Sequence, residues 1–412
     1  MKIRHKAKIK KIFIDNAAGA PIDLRVEKEM LRAFKIKGNP SAFNEFGRMS
    51  AKELSNARLK IARFLGAHQE EIVFTGSGSE ANNLAIRGIA NSLQFTVYSL
   101  QKNSKDQKIK PHIITTQIEH PSVLEPMKQL ERYGFRVTYL PVDTEGFIDL
   151  KDLEKCLCKD TVLVSVMYAN NEIGTIQPIN KIGRIIKEFK TKNLKLNILN
   201  YPLFHVDACQ ATGYLNMNMN TLQADLVTFN GSKIGGPRGI GCLYVKRGIV
   251  VEPLVFGGGQ ERGLRAGTEN LPAILGLAKA VEIIDQKEKV KLSILRDYFI
   301  AEIQKIDGGI RVNGSSGISR LPNNINISIP FLDSENLLLE LDKYGISAGS
   351  GSACTSRSVE PSHVLKAIGV EKKYLTGAIR FSMGKQTTKK DVDYILKVLP
   401  KVIRDLKKRY EK

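Results

Sequence analysis

Lys233 stands alone in a run of small residues, Asn230-Gly231-Ser232-Lys233-Ile234-Gly235-Gly236, just after the apolar stretch Leu226, Val227 and Phe229. Five of the nine residues that follow it are Gly or Pro, which places the lysine in a loop at a strand end. Two chemistries are open to it there. It is either a solvated surface ammonium or a desolvated amine that adds to a carbonyl as a Schiff base. A second apolar run, Leu203, Phe204, His205 and Val206, ends in Asp207-Ala208-Cys209-Gln210. These two strand ends offer an amine, a carboxylate and a carboxamide. Far downstream, Gly349-Ser350-Gly351-Ser352-Ala353 leads into Cys354. That thiol is either exposed on a mobile loop or packed as a small hydrophobe in a tight turn.

The elements around these residues alternate. Ile72-Val73-Phe74 reads as a strand, and Thr75-Gly76-Ser77-Gly78-Ser79-Glu80 turns into a helical pattern from Ala81 to Ala90. A small-residue turn of this kind leaves N–H groups free at a helix N-terminus, which suits a phosphate; the alternative is a tight turn with a serine cap. Ile113–Thr116 is the next strand, with His120 opening a helix behind it. The strand Val162–Met167 ends at Tyr168-Ala169-Asn170-Asn171-Glu172-Ile173-Gly174. Alternation across residues 70–245 predicts an α/β architecture with a mostly parallel sheet between helices. Polar residues just after its strands fit binding at the carboxyl edge. Helices are also expected over 23–37, 50–65 and 271–304, and residues 290–412 read as a smaller α+β unit. The lysine-rich stretch 91–110 reads as a surface insertion, longer than connections usually are.

Bulk properties narrow the class. The chain has 412 residues, 42% hydrophobic and 25% charged, enough for a large core and two or three domains. No apolar run approaches the ~20 residues of a membrane helix, and the basic start MKIRHKAKIKKIF lacks a signal peptide's apolar core. Cytoplasmic residence is expected. Five cysteines without secretory context are expected as free thiols, with no metal site. The formal charge of +21 is read as a lysine-rich solvated surface, since no RNA-binding module accompanies it. Neither a membrane partner nor direct nucleic-acid binding is expected.

HVDACQATG and NGSKIGGPRGIGCLYV closely resemble the cysteine desulfurases, which are fold-type I pyridoxal-phosphate enzymes. DNAA near the start, NNEIG, the RAGT segment at Arg265–Thr268, and GSGSACTS followed by VEPSHVL extend the resemblance over nearly the whole chain, to the group with the longer mobile cysteine loop. The resemblance implies that Lys233 carries the cofactor aldehyde as a Schiff base and that Asp207 faces the ring nitrogen. It implies Gln210 and Asn171 at the ring oxygen, His120 stacked over the ring and moving protons, and Gly78, Ser79, Asn230 and Ser232 at the phosphate. Thr268 is expected to reach the phosphate of a neighbouring subunit, which implies a homodimer. Arg380 clamps the carboxylate of L-cysteine, with Asn171 beside it, and Cys354 takes the sulfur as a persulfide, leaving L-alanine. The implied sulfur acceptor is an iron–sulfur scaffold or a tRNA-thiolation enzyme. The implied division is a cofactor-binding domain over 23–289 and a small domain made of 1–22 and 290–412.

Four positions depart from the family pattern. Asn44 stands where a histidine is usual, Asn230 where a serine is, Ser232 where a histidine is, and Gly235 where a tyrosine is. Asn230 and Ser232 can still donate to a phosphate, without a histidine's charge. Two other readings remain: a related enzyme of the fold, such as a selenocysteine lyase or an aminotransferase, which would not need Cys354, and a silent sulfur-carrier or RNA-binding homologue. The latter predicts a missing lysine or arginine, and Lys233 and Arg380 are both present.

Overall fold

The structure is a computed structural model that describes residues 10–101, 110–192, 201–306, 309–351 and 361–410. A two-residue strand, β1 (Ile12–Phe13), precedes a sheet of seven: β2 (Ile72–Thr75), β3 (His112–Thr116), β4 (Arg136–Leu140), β5 (Thr161–Met167), β6 (Leu203–Asp207), β7 (Leu226–Asn230) and β8 (Gly241–Val245). Their order across the sheet is β2-β8-β7-β6-β5-β3-β4. β8 runs antiparallel to both β2 and β7, and every other pairing is parallel. The strands that follow helical crossovers therefore all end at one edge. This is the α/β architecture that strand–helix alternation predicts.

A sheet covered on both faces needs near-continuous apolar strands, and β5 is buried at all seven positions. Successive residues serve opposite faces. Val164, Phe204 and Val227 join one core with Ile61, Leu65 and Leu277 from the helices Glu45–Leu65 and Leu271–Glu282. Their neighbours Leu163, Leu203 and Leu226 join another with Leu84 and Ile86 of the helix Gly78–Gln101 and Met127 of Pro121–Arg132. Each fully buried side chain of this size contributes about 1.5–3 kcal/mol of transfer free energy.

The later chain builds a second core. β9 (Arg311–Val312), β10 (Asn324–Ser328), β11 (Ile346–Ser347) and β12 (Ala378–Ser382) give a three-stranded antiparallel sheet ordered β12-β10-β9, while β11 pairs in parallel with β1. Through that pairing Ile12 and Ile14 pack among Phe299, Ile327, Phe381, Val392 and Leu399.

Local detail corrects two expectations and places Asn44. The helix from Gly78 continues to Gln101, so residues 91–101 extend an element rather than start a surface insertion. The stretch 271–304 is two helices, because Asp285 caps a new one over Gln286–Ile303 by accepting the Lys287 N–H at 2.9 Å. Asn44 is the N-cap of Glu45–Leu65, its Oδ1 accepting the Gly47 N–H at 2.9 Å, and the left-handed Gly66 (φ 63°) closes that helix.

Candidate active site

The carboxyl ends of β2, β3, β5, β6 and β7 bring residues from across the sequence to one cavity of about 260 Å³. Its lining includes Gly78, Ser79, His120, Asn171, Asp207, Gln210, Asn230, Ser232, Lys233 and Arg380. Of the residues singled out from sequence, two stand apart. Thr268 is exposed and does not line the cavity. Cys354 lies outside the described residues, although Gly351, three positions before it, is at the cavity wall.

Lys233 ends a short helical turn, Gly231–Lys233, directly after β7, and its Nζ donates to the Ala18 carbonyl at 2.8 Å. Gln210 donates to the neighbouring Ala17 carbonyl at 3.1 Å. The DNAA segment is therefore the wall against which both side chains are set.

Asp207 is 6% exposed at the end of β6. Its Oδ1 accepts the Cys209 N–H at 2.9 Å and its Oδ2 accepts Asn82 Nδ2 at 2.8 Å. The same Asn82 amide donates to Ser122 Oγ at 2.8 Å. His120 Nδ1 accepts the Ser122 N–H at 3.1 Å and lies 2.8 Å from Ser122 Oγ. An imidazole nitrogen that accepts an N–H carries no proton, so neutral His120 holds its proton on Nε2. Burial lowers the His120 pKa, with Asp207 opposing that effect and Lys233 reinforcing it.

The turn before the helix Gly78–Gln101 is held by Glu80, whose carboxylate accepts the Gly76 N–H at 2.8 Å and pairs with Arg265 Nε at 3.0 Å. First-turn N–H groups have no acceptor within their own helix; that of Glu80 is capped by Ser77 Oγ at 3.1 Å, and Gly78 and Ser79 line the cavity with Asn230 and Ser232. Gly78 keeps this corner of the cavity clear. A Cβ there would come within 2.8 Å of both Asn230 Nδ2 and Cys209 Sγ.

The opposite wall is cationic and carboxylic. Arg380, in the middle of β12, is held by Asp15 and by the Asn171 and Gly351 carbonyls. Glu172 is buried, and its Oε2 accepts Ser362 Oγ at 2.6 Å; burial raises its pKa. His363 Nε2 donates to the Glu119 carbonyl at 2.9 Å. Glu119, fully buried beneath His120, has a pKa raised to about 8 by that burial.

Asn82, Ser122, Glu119, Glu172 and His363 escaped the reading from sequence. His363 carried a signal, as a histidine inside the VEPSHVL string. The other four are ordinary helix and turn residues until the fold assembles them.

This donor set fits pyridoxal phosphate. An amine, a buried carboxylate held from two sides and a helix N-terminus with a glycine cradle answer to an aldehyde, a ring nitrogen and a phosphate. Among the described residues no cluster of His, Cys, Asp and Glu could hold a metal ion.

Comparison with known proteins agrees with that chemistry. Residues 12–395 match the family model described as aminotransferase class-V. The chain is 44% identical over 402 residues to a cysteine desulfurase IscS of Dictyoglomus turgidum, covering 97% of this chain and 96% of that one. A solved NifS-like protein superposes with a TM-score of 0.85 at 36% identity, over 96% of this chain and 100% of that one. A solved structure of SspA in complex with cysteine superposes with a TM-score of 0.75 at 32% identity, over 90% and 98%.

Proposed function

The chain belongs to the aminotransferase class-V family, as a pyridoxal-phosphate-dependent cysteine desulfurase of fold type I, and we propose the following assignment of its residues. One observation carries it: Lys233, Asp207 and Arg380, far apart in sequence, face one cavity. Bound there, pyridoxal phosphate supplies a conjugated ring that withdraws electrons from the substrate's α-carbon.

Lys233 holds the cofactor through its Nζ, and Asp207 faces the ring nitrogen. Asn82 and the Cys209 N–H bind one oxygen each of Asp207 and fix its orientation at the end of β6. The N–H groups of Gly78 and Ser79, with Asn230 and Ser232, receive the phosphate, and Gln210 and Asn171 border the ring oxygen. Arg380 holds the carboxylate of L-cysteine with its fork. His120, unprotonated at Nδ1 and lowered in pKa by burial, would give and take protons at Nε2. The Cys354 thiolate bonds to the substrate sulfur. The carbon–sulfur electron pair stays with the carbon skeleton, which gains a proton and leaves as L-alanine.

The assembly follows the same line. Leu31 and Phe34, at the end of the helix Leu24–Ala33, and Phe46 and Met49 on Glu45–Leu65 are all more than half exposed, and an Arg32–Glu53 pair at 2.8 Å joins the two helices. Such an apolar surface supports a homodimer, in which the exposed Thr268 of each copy meets the other's phosphate site. The persulfide then passes to an acceptor, an iron–sulfur scaffold or a tRNA-thiolation enzyme, in the cytoplasm. No helix among the described residues is long and apolar enough to cross a membrane. The separate cores support a cofactor-binding unit over 23–289 and a second unit of 1–22 with 290–412.

Lys233→Ala tests the assignment. The variant is expected to fold, to lose the visible absorbance of lysine-bound cofactor and to form no L-alanine. Retention of both would remove Lys233 from its role.

A further inference from the structure

Arg380 meets the cavity with most of its donors already committed. Its Nη1 donates to the Asn171 carbonyl at 2.8 Å and to the Gly351 carbonyl at 3.2 Å. Its Nη2 donates to Asp15 Oδ1 at 2.7 Å. Its Nε is buried without a hydrogen-bond partner. A guanidinium has five N–H donors in a fixed fork. With both Nη1 hydrogens on main-chain carbonyls, two-point recognition of a carboxylate is left to the edge formed by Nε and Nη2. Asp15 already takes Nη2, one of the two donors of that edge.

The two partners differ in how freely they can move. The Arg380 side chain is 2% exposed and the Asp15 side chain 19%. Asp15 can turn toward water, where a carboxylate is well solvated. Withdrawing Arg380 would strand a buried guanidinium away from its carbonyls, which is far costlier. The approach of the pair is also built into the backbone. Gly349 exchanges main-chain hydrogen bonds with Arg380, at 3.0 and 2.7 Å. A Cβ on Gly349 would stand 2.6 Å from Asp15 Oδ1 and 3.0 Å from Arg380 Nη2. Glycine at 349 leaves room for the carboxylate in its position on Arg380.

We propose that Asp15 is a specificity-determining residue: a resident carboxylate on Arg380 that the carboxylate of the substrate displaces. This rests on the reading of Arg380 as the substrate-carboxylate site. In the ligand-free enzyme Asp15 balances the buried guanidinium. Ligand binding then requires the Asp15-released form, so the apparent affinity for any α-carboxylate ligand is reduced by the fraction of enzyme in which Arg380 is free. A ligand without a carboxylate escapes that competition.

The test is calorimetric titration of the holoenzyme with L-alanine, which carries the carboxylate but no sulfur to transfer, and with cysteamine, which carries amine and thiol but no carboxylate. Asp15→Asn is expected to lower the Kd for L-alanine about tenfold and to leave that for cysteamine unchanged. The KM for L-cysteine should move in the same direction as the alanine Kd. Asp15→Ser removes the charge at smaller volume and should shift alanine binding the same way, which keeps the test open if the isosteric variant does not accumulate folded. An unchanged or raised Kd for L-alanine, or an equal gain for cysteamine, overturns the proposal. Arg380→Lys separates the layers. If it leaves alanine binding intact, the reading of Arg380 itself fails. If it weakens alanine while the Asp15 variants change nothing, only the role of Asp15 falls.

Discussion

Asn82 connects two groups that the proposed chemistry uses together. Its amide donates both to Asp207 Oδ2 and to Ser122 Oγ, and Ser122 in turn fixes the unprotonated Nδ1 of His120. Asn82→Ala is expected to lower kcat about tenfold, with a smaller effect on KM, because the loss of one charge-assisted bond leaves Asp207 less well held. Steady-state kinetics checks this, and a change confined to KM would contradict it. Glu119 gives a pH signature. Burial raises its pKa from 4.5 to about 8, so between those values the folded chain keeps a proton that the unfolded chain has released. Stability therefore falls as pH rises through that window. Glu119→Gln retains an oxygen for the Met167 N–H and the Thr116 hydroxyl. It should raise the Tm at about pH 7.5, by on the order of 2 kcal/mol in stability, and leave it unchanged near about pH 4. Calorimetry at both pH values decides. The sequence made Lys233, Asp207 and Arg380 legible because each sits in a distinctive string. Asn82, Glu119 and Asp15 were not, because their partners lie 125, 48 and 365 residues away and only the fold makes them neighbours.

The helix Glu45–Leu65 and the glycine-rich loop before Leu271 are joined by one ion pair. Arg58 donates to Glu261 at 2.6 and 2.8 Å, and the Glu261 side chain, 2% exposed, also accepts the Phe74 N–H of β2 at 2.9 Å. Glu261 is held at φ 47°, a left-handed conformation that a side chain rarely adopts without such support. Glu261→Ala should destabilise the protein by about 3 kcal/mol, because it removes the carboxylate from a largely buried Arg58 and leaves it only the Ile72 carbonyl. Denaturant unfolding measures this, and a loss under about 1 kcal/mol would show the pair to be incidental. Strand–helix alternation was readable from periodicity, which reports local burial. The strand order, the reversed β8 and the pairing of β1 with β11 were not, since no local pattern encodes which distant strand supplies the hydrogen bonds. The continuation of the Gly78 helix to Gln101 was hidden for a related reason: it runs straight into the lysine-rich stretch 102–110, and the two together read as one loop.

Two expectations concern the assembled protein. Phe46→Glu combined with Phe34→Glu, on the two exposed helices, is expected to convert a dimer into monomers and to weaken cofactor retention by withdrawing Thr268 from the neighbouring phosphate site. Sedimentation equilibrium of wild type and variant checks it, and a wild-type monomer with full activity contradicts it. The formal charge of +21 is spread along the chain, consistent with a solvated surface. The most direct measurement is the release of L-alanine and sulfide from L-cysteine, with pyridoxal phosphate and a reductant, by wild type and Cys354→Ala. The account predicts equal amounts of the two products from wild type and a collapse of both in the variant, with its lysine-bound cofactor absorbance intact. No alanine from wild type, or undiminished turnover in Cys354→Ala, would contradict it.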